Sequence, residues 1–216
     1  MRNAIRATML ALVAVFALGV VSVATASAAE LEQIPSTGRF TVRSEASTFE
    51  THSKERISCK RDSGEGELTG VKTDRSKVTF EECTGPLNVK CTSSGAKTGN
   101  IETEINSELV WLSKSGLKAG EKLALAKELS ISCSIIKIKV RGATLCPVEP
   151  VNVRTTTVKL VCRQSGGKQE FTEYENEKGE KFKAITESSK GGAFEESGLA
   201  STETLTFSEP GEIRVS

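Results

Sequence analysis

The chain reads as an all-β protein, an antiparallel sandwich or partly closed barrel of about a dozen short strands stabilised by disulfides. Three observations predict this. Apolar and polar side chains alternate with period two in several segments, glycine-rich turns punctuate the alternation, and six cysteines follow a leader of the secretory type.

The leader comes first. Arg2 and Arg6 precede an apolar run from Met9 to Val23 that only Gly19 and Ser22 interrupt, and Ala26-Ser27-Ala28 supplies the small residues a signal peptidase requires. Residues 1–29 are therefore expected to be removed as a signal peptide, leaving one all-β domain over residues 30–216. The competing reading, an uncleaved anchor over Ala7 to Ala29, would approach the roughly 20 apolar residues a bilayer needs. Cleavage leaves no stable membrane insertion, and the first cysteine, Cys59, lies far beyond the position of a lipid anchor. The expected location is extracellular or in the cell envelope.

Strand signals run along the rest of the chain. Ile136, Ile138 and Val140 alternate with Lys137, Lys139 and Arg141 up to Gly142, so one face is expected inward and the other in water. Val158, Leu160 and Cys162 follow the same rule after the β-branched run Thr155-Thr156-Thr157. Phe40 with Val42, Val78 with Phe80 and Leu205 with Phe207 mark further inward pairs. Turns are expected at Ser63-Gly64-Glu65-Gly66, Thr84-Gly85-Pro86, Ser165-Gly166-Gly167 and Lys190-Gly191-Gly192. Leu117 to Leu129 suits a helix or a strand equally, and Ala193 to Leu199 suits one helical turn. The related segments Ser94 to Gly99 and Ser115 to Gly120 are expected to be similar loops at one end of a sheet, since two copies are too few for a solenoid.

The cysteines Cys59, Cys83, Cys91, Cys133, Cys146 and Cys162 are even in number, which in an exported chain favours three disulfides. Six cysteines allow 15 pairings and sequence does not choose among them. Pairing in sequential order, Cys59 with Cys83, Cys91 with Cys133 and Cys146 with Cys162, is preferred. No C-x-x-C occurs, so zinc and dithiol redox sites are poorly supplied. His52 is the one histidine, and no methionine survives processing, which removes the usual copper and haem ligands. No cofactor or metal is expected.

Other chemistry is thinly supplied as well. His52 lies in polar Thr51-His52-Ser53-Lys54, the setting of a solvated loop residue rather than a triad base. S-x-x-K recurs at Ser94, Ser115 and Ser165 in glycine-rich turns without an S-D-N motif, a coincidence of composition. Glycoside hydrolysis needs two carboxylates across a cleft, for which Glu81, Glu82, Glu102, Glu104, Glu108, Glu173 and Glu175 are candidates, but Trp111 and Tyr174 are a small supply of stacking surfaces. Asp62 and Asp74 are the only aspartates, too few for an EF-hand-type calcium loop. Loss of Arg2 and Arg6 leaves 27 Lys plus Arg against 28 Asp plus Glu, about −1, which argues against nucleic acid as partner. The Lys137, Lys139, Arg141 stripe, with Arg154 and Lys159 on a neighbouring strand, could meet an anionic wall polymer, although such stripes are more often the wet side of a strand.

Four segments carry a resemblance: Cys59 to Glu67, Val78 to Cys83, Cys91 to Gly99 and Gly192 to Ala200. Through them the chain resembles uncharacterised exported proteins of soil actinobacteria, in which Cys146 and Cys162 correspond to ordinary residues. The resemblance implies a bacterial, secreted, β-rich protein and no mechanism. The reading is a non-enzymatic extracellular binding or envelope protein with an unidentified extracellular or cell-wall partner. Two alternatives stand beside it: a small hydrolase using a glutamate pair, and a protease inhibitor presenting Thr84 to Lys90 between Cys83 and Cys91.

Overall fold

The computed structural model describes residues 30–134 and 136–216, so the signal peptide expected over residues 1–29 lies outside the described residues. The fold is antiparallel β throughout, with one short 3₁₀ turn at Pro86–Asn88. The first strands are β1 (Leu31–Ile34), β2 (Gly38–Ser44), β3 (Ser47–Thr51), β4 (Arg56–Cys59), β5 (Arg61–Leu68) and β6 (Thr73–Glu81). The middle of the chain forms β7 (Cys91–Ser93), β8 (Ile101–Ser113), β9 (Lys118–Leu125), β10 (Leu129–Cys133), β11 (Ile136–Glu149) and β12 (Thr155–Cys162). The short pieces β13 (Gln164–Ser165), β14 (Lys168–Gln169), β15 (Glu173–Glu175), β16 (Lys181–Lys183) and β17 (Thr186–Ser189) precede the long β18 (Glu195–Val215).

The pairings close on themselves. β8 pairs with β6, β6 with β5, β5 with β2 and β2 with β18; β18 then pairs with β12, β12 with β11, β11 with β9 and β9 with β8. This circuit is not a clean barrel, because β11 and β18 run out of it into a second layer. There the order is β4-β3-β18-β17-β11-β10-β7. Bridges from Ser58 to Thr84 and from Thr84 to Lys90 bring β4 back beside the start of β7.

Gly142 is where β11 changes layers. Residues 139 to 142 pair with β17, whereas residues 143 to 147 pair with β9. Its φ of +94° suits glycine, and a Cβ there would lie 2.1 Å from the Ile185 carbonyl oxygen. No other residue fits that bend without moving β17.

Each layer buries its own apolar face. Inside the circuit Phe40, Val42, Leu109, Trp111, Val158, Leu160 and Leu205 pack around Cys146 and Cys162. In the second layer Ile57, Ile101, Ile131, Ile138 and Val140 pack around the other four cysteines. The bridges are Cys59–Cys83, Cys91–Cys133 and Cys146–Cys162, with sequence separations of 24, 42 and 16. Loop closure of that size restricts the unfolded chain by about 3 to 4 kcal/mol per bridge in the chain-entropy model.

Local expectations change at several points, and the turn expected at Ser63-Gly64-Glu65-Gly66 instead lies inside β5, paired with β2 on one side and β6 on the other. Leu117 to Leu129 is β9 and the start of β10, and Ala193 to Leu199 enters β18 rather than a helical turn. Both segments have waiting neighbours, β8 and β11 for one and β3 for the other, and ladder pairing outweighs weak helix propensity. Ser94 to Gly99 precedes β8 and Ser115 to Gly120 follows it, so the two related segments lie at opposite ends of one strand.

Candidate functional site

An apolar recess lies where the two layers meet. Phe49 and Ile57 come from the second layer, Phe80, Ile101 and Ile105 from β6 and β8, Leu123 and Leu125 from β9, and Leu129, Ile131, Val140 and Leu199 complete the wall. Its volume is about 100 Å³. The polar lining is confined to Ser47, Thr103, Thr144 and Thr186, of which the last two bond to each other at 2.7 Å. No titratable side chain lines it. Such a space can hold hydrocarbon but offers no group to transfer a proton or attack a bond.

A larger concavity of about 1360 Å³ spreads over the outer face of β18, β2, β5, β6 and β8. Its charges sit in register across the ladder: Arg39 opposite Glu67, Glu67 opposite Arg75, Glu65 opposite Lys77 and Lys77 opposite Glu104. Lys77 reaches Glu104 at 3.4 Å, and Arg75 is paired to Glu67. Arg75 with Glu67 and Lys77 with Glu104 thus satisfy one another, as cross-strand pairs on a wet face do.

Most of the surface glutamates singled out from sequence are held by neighbouring groups. Glu81 binds Arg61, Glu82 binds Lys60 at 2.7 Å, Glu108 is paired to Lys122, and Glu175 accepts the Lys114 backbone N–H at 3.0 Å. Glu102 and Glu173 are exposed. Trp111 is buried and donates its indole N–H to Glu177 at 3.3 Å, while Tyr174 stacks on Phe182 with ring centroids 5.6 Å apart. Neither ring is a free sugar platform. His52 is exposed in the β3–β4 turn. In the basic stripe Lys139 meets Glu128 at 2.8 Å and Arg141 meets Glu187 at 2.9 Å while lying 3.8 Å over the Phe194 ring. Lys159 sits opposite Glu149, beyond the Gly142 bend, so it does not extend that stripe.

Neither a known protein family, a curated protein nor a solved structure matches this chain. The residues themselves carry the functional reading.

The buried carboxyl groups are ones that sequence reasoning passed over. Asp62 on β5 and Glu203 on β18 are 2% and 6% exposed, with Ser44 between them on β2 donating its hydroxyl to Asp62. Burial, reinforced by the Asp62 charge, pushes the Glu203 carboxyl up to about 8. Asp74 on β6 and Glu121 on β9 are also buried, joined through Ser107, which faces Asp74 across the ladder. Burial, and after it Asp74, raises Glu121 well above the ordinary carboxylate range. None of the four lines either concavity. A signal existed: Glu203 keeps step with inward Leu205 and Phe207, and Glu121 with inward Leu123 and Leu125.

The Thr84–Lys90 segment projects from the second layer. Cys83 is tied to Cys59 and Cys91 to Cys133, the backbone N–H of Gly85 bonds the Val89 carbonyl at 2.8 Å, and a Cβ on Gly85 would lie 2.9 Å from Cys91 Sγ. At its tip Leu87 is 95% exposed with φ +61°. Among the described residues no three His, Cys, Asp or Glu gather as a metal site, and no helix is long and apolar enough to cross a membrane.

Proposed function

We propose that this is an exported, non-enzymatic binding protein whose recess between the layers takes up a small, uncharged, largely hydrocarbon molecule. The recess itself carries this reading: apolar side chains from both layers surround about 100 Å³, and the hydroxyls of Ser47 and Thr103 offer polar contacts at its edge. Engineered apolar cavities of roughly 150 Å³ bind benzene or xenon, so a chain of a few carbons is the matching occupant. The leader and three bridges support export to an oxidising exterior. The ion-paired surface glutamates and the carboxyl pairs set away from the recess weigh against the hydrolase reading.

Titration of the methyl-labelled protein with n-hexanol tests it. Resonances of Ile101, Ile105, Leu125 and Val140 are expected to shift together and to saturate, and Thr103→Phe, which places a ring in the recess, abolishes the response. Absence of saturable shifts in the native protein would overturn the reading.

A second reading, contact with a partner protein through Leu87, is favoured by the double tether and near-complete exposure of that side chain. The left-handed backbone at Leu87 and Asn88 weighs against extended, substrate-like insertion into a protease cleft. Isothermal titration against a panel of secreted proteases, with Leu87→Asn as control, tests this reading. Tight binding lost in that variant would support it, and no binding would remove it.

A further inference from the structure

Two carboxyl pairs of the same composition occupy the inside of the strand circuit. Glu203 lies across from Ser44 and Asp62 on one side, opposite Leu160 of β12. Glu121 lies on the other, opposite Leu109 of β8 and Cys146 of β11, and its side chain reaches Ser107, two residues before Leu109, and Asp74, which faces Ser107 across the ladder. The Cys146–Cys162 bridge runs between them, because Cys162 faces Ser201, whose side chain is next to Glu203. The elements packed against the pairs present Leu160, Phe80, Leu68, Leu109 and serine hydroxyls, and among the described residues no Lys, Arg or His forms a salt bridge with the four carboxyls.

We propose that each pair holds one proton in common, so that the circuit is closed by two internal protons and loosens when alkali removes them. Two carboxylates within hydrogen-bonding reach in an apolar interior repel each other and lose hydration, and no cation offsets either cost. One proton turns the contact into a donor–acceptor bond: the protonated carboxyl donates to its ionised neighbour, and Ser44 donates to Asp62. Alkali carries that proton to hydroxide as water and leaves two buried anions. The strands must then part far enough to admit water. The raised carboxyls of Glu203 and Glu121 accord with this arrangement.

Thermal melts of the mature, disulfide-intact protein from about pH 5 to about pH 10 test the proposal, with native, Glu203→Gln and Glu121→Gln proteins compared with and without Ca²⁺. The native Tm is expected to fall by roughly 10 °C across this range, and each glutamine variant to lose a large part of that fall, since an amide does not ionise. Infrared spectra of the native protein give a readout that needs no variant: a protonated-carboxyl C=O band present at neutral pH and bleached in alkali. A Tm independent of pH, or no such band at neutral pH, overturns the proposal. Ca²⁺ raising the alkaline Tm of the native protein but not of Glu203→Gln would also overturn it, because Asp62 Oδ1, Glu203 Oε2 and Ser201 Oγ, which have no hydrogen-bond partner, would then be cation ligands.

Discussion

Glu203 and Asp62 lie side by side within the strand circuit, and the hydrogen bond that Asp62 receives comes from the Ser44 hydroxyl rather than from a cation. A buried acid held above its unfolded value binds a proton in the native state that the unfolded chain has already lost. Stability from Glu203 is therefore complete below about 4.5, declines as pH rises, and is gone above about 8. The native protein is expected to be most stable in mildly acidic solution, as urea unfolding across pH will show.

Glu55 works in the opposite sense. Lys190, Ser53 and Thr51 donate to it and hold its carboxyl down at about 2. Its contribution is present above its ordinary value of 4.5 and is lost as pH falls through about 2. Glu55→Gln is expected to cost about 1 to 2 kcal/mol at neutral pH and nothing in strong acid, measured by urea midpoints.

Gly142 and Gly95 separate crowding from backbone conformation. Both have positive φ, but a Cβ at Gly142 meets the Ile185 carbonyl at 2.1 Å whereas one at Gly95 meets nothing within 4 Å. Gly95→Ala is expected to cost about 1 kcal/mol and Gly142→Ala about 3 or more, compared by thermal unfolding.

Leu87→Asn should leave stability unchanged or raise it by up to about 1 kcal/mol. The side chain is 95% exposed, and asparagine tolerates the left-handed conformation better than leucine. Denaturant midpoints of the two proteins decide this.

Removing bridges in pairs should follow loop size. Cys91→Ala with Cys133→Ala, which opens a separation of 42, is expected to cost about 4 kcal/mol, and Cys146→Ala with Cys162→Ala, at 16, about 3. Equilibrium unfolding in guanidinium measures both.

The fold class could be read from residues such as Ile136, Ile138 and Val140, because a half-buried strand leaves its period in the sequence. The same period, carried from Leu205 back to Glu203, places a carboxyl inside; expecting charge to face water hid it. The number and length of strands were harder to read. β18 runs 21 residues by changing partners along its length, and β15 and β16 have three residues each. The recess was not legible at all, since its walls come from Phe49, Phe80, Leu125, Val140 and Leu199, residues that only the closed circuit and the turn at Gly142 bring together.

Diffraction from a crystal of the disulfide-bonded protein pressurised with xenon tests the proposed binding most directly. The expected result is one xenon atom between the layers, in contact with Phe80, Ile101, Leu125 and Val140. A recess closed by its own side chains, with no xenon there, would contradict the account.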